Sequence, residues 1–220
     1  MTGPLVAVAH GTRSAAGQAQ IRALVDAVAM CRPELDVRLT YVDVQFPRVA
    51  DTMHQVMRGG KQSKGAPPVI VPLLLSTGYH VRVDIAEAAG DAVVASPLGP
   101  DPLLTEILAT SAGRDHDALV LAAAGSSDPG WQSQVADVAA DLNAHVAYAS
   151  RGETEQVVAN LRQQGAERIT VAAYLLADGL FYRTLHRAGA DHVTPPLCHD
   201  PRIAGLVARR YDLTTALAAM

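Results

Sequence analysis

The sequence predicts an α/β protein of two similar lobes, each a small parallel sheet flanked by helices. Three observations carry that expectation. Short, wholly apolar runs alternate with stretches of helical spacing, which is the pattern of a parallel sheet covered on both faces. The second half of the chain repeats the order of the first. Two histidines, His10 and His80, each follow an apolar run, which sets them over the carboxyl edge of a sheet, where open α/β folds bind their ligands.

In order, the first half reads as strand 4–9, helix 15–31, strand 37–44, helix 47–58, strand 68–75, short helix 81–89, strand 92–95 and helix 101–110. The first helix carries Ile21, Leu24, Val25, Val28 and Ala29 on one face, with Pro33 beyond its end. Pro47 suits the first turn of the second helix, where a missing N–H leaves nothing unsatisfied. Residues 58–68 are the most polar and glycine-rich segment and read as a surface loop before the third strand.

The second half echoes these elements. Ala118-Leu-Val-Leu-Ala-Ala-Ala-Gly125-Ser-Ser matches Pro4-Leu-Val-Ala-Val-Ala-His-Gly11-Thr-Arg, Pro196-Leu-Cys-His-Asp200-Pro201 matches Pro97-Leu-Gly-Pro-Asp101-Pro102, and Gly179 falls on Gly78. The repeat is roughly 100 to 115 residues long, too long for a solenoid and right for two small lobes. A polar stretch at 111–117 puts the expected lobes at 1–112 and 117–220. In this register Ala124 stands opposite His10 and Phe181 opposite His80, so the second lobe keeps the pattern without either imidazole.

A chain of 220 residues, 49% hydrophobic, can bury a substantial core. Its net charge of −4, with no Lys/Arg run, argues against nucleic acid as a partner. Two distant cysteines, Cys31 and Cys198, supply neither a zinc cluster nor a disulfide framework and fit a reducing cytoplasm. The start is unlike an export signal, and no window approaches ~18 unbroken apolar residues, so a cytoplasmic protein with no membrane span is expected.

Either histidine alone is explained by a loop residue bonding nearby backbone. Together, each beside a glycine and each absent from the other lobe, they point to a shared site. Imidazole nitrogens bind divalent Fe, Co, Ni or Zn and exchange protons near neutrality. Phosphohistidine chemistry wants an arginine before the histidine, and Ala9 stands there; residues 10–17 match neither a P-loop nor GxGxxG.

Three segments, His10-Gly-Thr-Arg13, Val71-Pro-Leu-Leu-Leu-Ser-Thr-Gly78-Tyr-His80-Val-Arg-Val-Asp84-Ile85 and Pro97-Leu-Gly-Pro-Asp101-Pro102, resemble the sirohydrochlorin chelatases. These class II chelatases insert Fe²⁺ in sirohaem synthesis or Co²⁺ in anaerobic cobalamin synthesis. The likeness covers nearly the whole chain, in the manner of the family's two-lobe long form. It implies lobes facing across a cleft, with His10 and His80 as catalytic residues and metal ligands, one of them taking protons from the pyrroles. It also implies a divalent ion as substrate, Fe²⁺ ahead of Co²⁺ with Ni²⁺ or Zn²⁺ within reach, a tetrapyrrole partner, a monomer or homodimer, and no organic cofactor. Some relatives add an iron–sulfur cysteine motif, but the two distant cysteines of this chain offer no ligand set for a cluster. Arg13, Arg48 and Arg82 are candidates to grip the substrate's carboxylates, against the plainer reading of solvated surface charge. Gln45 and Asp43 suit either the cleft lining or a turn cap. Asp84 and Glu87 suit either support of His80 or the positive end of a helix. Trp131, Phe181 and Tyr182 fit a macrocycle wall or a core, and the other six histidines read mostly as surface. A metal-delivery protein, and an interaction module without a site, are the alternatives.

Overall fold

The computed structural model describes residues 3–59, 66–76, 83 and 85–218. The first half contains β1 (Leu5–Ala9), α1 (Ala15–Cys31), β2 (Val37–Tyr41), α2 (Val49–Gly59), β3 (Val69–Pro72), α3 (Ala86–Ala89), β4 (Val93–Val94) and α4 (Pro102–Ala112). The second contains β5 (Ala118–Ala123), α5 (Pro129–Asp141), β6 (His145–Tyr148), α6 (Glu153–Gln163), β7 (Ile169–Tyr174), α7 (Leu180–Leu185), β8 (His192–Val193) and α8 (Arg202–Ala218). The strands form two sheets of order β2-β1-β3-β4 and β6-β5-β7-β8, with every pairing parallel. The duplicated strand–helix alternation is the one the sequence predicts.

The apolar runs become strands because both faces of each sheet are covered. Every residue of β1, β5 and β7 is buried. Their alternating side chains divide between two layers: Val6, Val8 and Ile70 join Val49, Met53, Val56 and Ile85 under α2 and α3, while Leu5 and Ala7, also buried, face the other way. In the second sheet Val120, Ala122, Val171 and Ala173 join Val158, Leu161 and Leu185 under α6 and α7. Side-chain caps set helix starts: Ser14 accepts from the Gly17 N–H, Asp101 from Leu103 ahead of α4, and Asp128 from Gly130 ahead of α5.

The packed units differ from the repeats of sequence. One runs to Leu98 and resumes at Pro201, and the other is Gly99–Asp200, so the helix ending each repeat belongs to the other repeat's unit. The expected limits of 1–112 and 117–220 follow the duplication, whereas packing divides the chain at 98/99 and 200/201. The reason lies in which sheet each last helix covers: α8 packs on α1, β3 and β4, and α4 packs on β7. Fully buried Tyr211 donates to the Gly3 carbonyl at 2.5 Å. Arg210 donates to the Pro97 and Leu98 carbonyls at 2.8 and 2.9 Å, and Arg32 pairs with Asp212.

Local departures have local causes. β2 stops at Tyr41, short of the expected 44, and α2 begins at Val49, past Pro47, because the Pro47 carbonyl accepts from the Tyr41 N–H at 3.0 Å and the Thr40 hydroxyl at 2.9 Å. That closes the intervening residues into a loop. Of the expected helix 81–89, α3 covers Ala86–Ala89, residues 81, 82 and 84 lie outside the described residues, and so do residues 60–65 of the expected surface loop. Trp131 is buried, 5.5 Å from the Tyr148 ring, and is a core residue, while Phe181 and Tyr182 are half-buried and pack against the edge of the second core. His116, read as surface, is half-buried with an Nδ1 that has no hydrogen-bond partner. Among the described residues no helix is long and apolar enough to cross a membrane.

Candidate functional site

From β1 the chain moves outward to β2 and then returns to β3 on β1's other side. Neighbouring parallel strands whose connections leave in opposite directions open a crevice at their carboxyl ends. Val8 pairs with Pro72, so β1 and β3 end level. His10 is the first residue past β1 and is exposed there. Past β3, Leu73 still donates to the Val8 carbonyl at 2.8 Å. His80, Arg82 and Asp84, further along that segment, lie outside the described residues.

The turn carrying His10 is over-determined by hydrogen bonds. Gly11 has φ 101°, and a Cβ there would overlap the Asp43 carbonyl oxygen, so only glycine admits this approach of the two loops. Thr12 accepts from the Ser14 N–H through its hydroxyl at 3.1 Å and from Gln18 Nε2 through its carbonyl at 2.9 Å. The loop after β2 closes against this turn. Val42 and Asp43 donate to the carbonyls of Ala9 and His10, each at 2.9 Å, and Gln45 Oε1 accepts from the Thr12 N–H at 2.9 Å. Gln45 thus holds the turn that presents His10.

Arg48, expected as a rim cation, is engaged within its own loop. Its Nη1 donates to the Val42 carbonyl at 2.7 Å and to Asp43 Oδ1 at 2.9 Å, and its guanidinium lies 5.1 Å from the centre of the Phe46 ring. The hydrogen bond from Arg48, with one from the Val44 amide, holds the Asp43 carboxyl below the usual carboxylate range, and the nearby imidazole of His10 lowers it further. Val44 is itself partly exposed, with φ 65°. Arg13 is exposed on the His10 turn, and Glu87 is exposed in the first turn of α3. Among the described residues no three His, Cys, Asp or Glu side chains gather as a closed metal cage. The described part of the site is therefore an exposed imidazole beside a carboxylate, which can receive a divalent ion or a proton and release it again.

The CbiX family model matches the chain twice, over residues 4–114 and 118–214. The chain belongs to the CbiX family. None of the curated proteins is significantly similar to it in sequence. Among solved structures, the sirohydrochlorin chelatase SirB from Bacillus subtilis subspecies spizizenii, in complex with cobalt, superposes with a TM-score of 0.74 and 20% identity, over 97% of this chain and 95% of that one. CbiX, described as the terminal enzyme for biosynthesis of siroheme in denitrifying bacteria, superposes with a TM-score of 0.66 and 20% identity, over 96% and 98%. At that identity the likeness is one of fold.

The two CbiX repeats build the same first turn. Ser126 accepts from the Asp128 N–H at 3.1 Å and from Gln132 Nε2 at 2.8 Å, as Thr12 does from Ser14 and Gln18. The Ser150 N–H donates to the Ala124 carbonyl at 2.9 Å, as Asp43 does to His10. Gly125 repeats the positive φ of Gly11 at 107°. The second repeat thus keeps the scaffold and carries the Ala124 methyl in place of the imidazole. Sequence reasoning passed over this clamp and the Asp43–Arg48 pair. The only signal of the clamp is that Gln18 and Gln132 fall seven residues after Gly11 and Gly125.

Proposed function

We propose that this CbiX-family chain is a sirohydrochlorin chelatase that inserts a divalent ion into the tetrapyrrole, with Fe²⁺ for sirohaem as the first substrate and Co²⁺ for cobalamin as the alternative. The observation that carries the reading is His10: an exposed imidazole at the switch point of the first sheet, on a turn that the second repeat keeps and leaves without a base. Insertion requires that two pyrrole N–H protons leave as the ion enters, so that one divalent cation replaces two protons on the ring. A neutral imidazole suits either half of that exchange, and both Fe²⁺ and Co²⁺ accept it. His10 and His80 share the roles of ligand and proton acceptor in this proposal. Arg13 and Arg82 meet the substrate's carboxylates, Gln45 positions the His10 turn, and Asp84 and Glu87 support His80. The reaction needs no organic cofactor, and the paucity of cysteine suits a reducing cytoplasm.

The test is anaerobic mixing of the purified protein with sirohydrochlorin and Fe²⁺, Co²⁺ or Ni²⁺, followed by absorbance. His10→Ala and His80→Ala are expected to slow insertion by about 10²-fold or more, the usual contribution of a positioned base, while His116→Ala leaves the rate unchanged. Unaltered rates in both His10 and His80 variants refute the assignment.

A further inference from the structure

We infer that Phe46 is a stacking residue for a flat macrocycle beside His10, an inference that rests on the tetrapyrrole reading above. Single exposed apolar side chains are common on protein surfaces, so the 74% exposure of Phe46 carries little alone. Its setting carries more. The Arg48 guanidinium supports the ring from 5.1 Å, and Arg48 is in turn fixed by the Val42 carbonyl and Asp43. A side chain with two rotatable bonds, braced in this way, loses little further freedom when a ligand settles on it. The same loop is bonded to the His10 turn through Asp43 and Gln45, so the ring and the imidazole belong to one hydrogen-bonded assembly.

The internal duplication supplies an independent comparison. Tyr41 and Tyr148 hold matching places, paired with Ala9 and Ala123. Between Tyr41 and α2 stand the seven residues 42–48, whereas between Tyr148 and α6 stand the four residues 149–152. Both loops keep an arginine 5.1 Å from an aromatic ring. In the second repeat that ring is Tyr148 itself, half-buried and packed on Trp131. In the first, Tyr41 is buried at 4% exposure and the longer loop adds another ring, Phe46, in solvent. The repeat that has the imidazole is thus also the one with the longer loop, the Gln45 clamp and the exposed aromatic. A flat conjugated ligand is what such a face suits, through offset stacking on its π surface.

The test separates binding from chemistry. Metal-free sirohydrochlorin is titrated into wild type, Phe46→Ala, Phe46→Trp and Met30→Ala, with quenching of tetrapyrrole fluorescence as readout, and insertion kinetics are measured on the same proteins. Met30 is also an exposed apolar residue, at 76%, but near the far end of α1. Phe46→Ala is expected to raise the tetrapyrrole Kd and KM about tenfold, with kcat and the KM for the metal little changed and the thermal melt unmoved. Phe46→Trp is expected to bind as wild type does, and so is Met30→Ala. If wild type binds and metallates sirohydrochlorin while Phe46→Ala matches it, or if Phe46→Trp is as weak as Phe46→Ala, the role of Phe46 is overturned and the chelatase reading stands. Wild type that neither binds nor metallates sirohydrochlorin overturns both.

Discussion

At Gly11 the backbone admits only a hydrogen atom: φ is 101° and the Asp43 carbonyl oxygen fills the space a methyl group needs. Gly11→Ala is therefore expected to cost about 1–3 kcal/mol in urea unfolding and to displace the loop that holds the His10 turn, lowering the insertion rate as well. Gly125→Ala has the same backbone strain but meets the Ser150 hydroxyl, which can rotate away. Its cost is expected to be smaller, with insertion unaffected. Asp43 adds a pH dependence. Its carboxyl sits below the usual range because Arg48 hydrogen-bonds its charged form, so the contribution to stability is complete above the ordinary carboxylate pKa and is lost as pH falls through the lowered value. The urea midpoint of wild type is expected to fall slightly further than that of Asp43→Asn as pH is lowered from neutral through that range, and less so in high salt, because the pair is exposed.

Among the elements, α1 was legible because its apolar positions recur with helical spacing and Pro33 follows its end. The loop 42–48 was not legible, because what ends β2 and delays α2 is a set of bonds to Thr40, Tyr41 and the His10 turn, and no local pattern announces them. The helix α8 packs on α1, β3 and β4. Its Tyr211 hydroxyl is buried against the Gly3 carbonyl, so Tyr211→Phe leaves that acceptor without this donor. The change is expected to cost about 1–2 kcal/mol, read as a lower urea midpoint with an unchanged slope. Tyr211→Ala, which also empties a fully buried site, is expected to cost about 3–5 kcal/mol.

At the scale of the whole molecule, the exchange of final helices makes each sequence repeat an incomplete structure. A fragment of residues 1–112 has α4 without the β7 it packs on, and lacks the α8 that covers β3 and β4. It is expected to show no cooperative urea transition by circular dichroism. A chain in which a short Gly/Ser linker joins Leu98 to Pro201 is expected to show one, and cooperative folding of 1–112 alone contradicts the exchange. From sequence alone came the twinned α/β architecture, the buried parallel strands and the imidazole beyond the first of them, because hydrophobic period, turn residues and self-similarity are local properties written along the chain. Which sheet α4 and α8 cover, that Arg48 serves its own loop, that Gln45 clamps Thr12, and that Trp131 is core were decided by the tertiary structure. Each depends on a partner distant in sequence or on the fold of a loop, and an apolar helix face or a guanidinium carries no local mark of which partner it will meet.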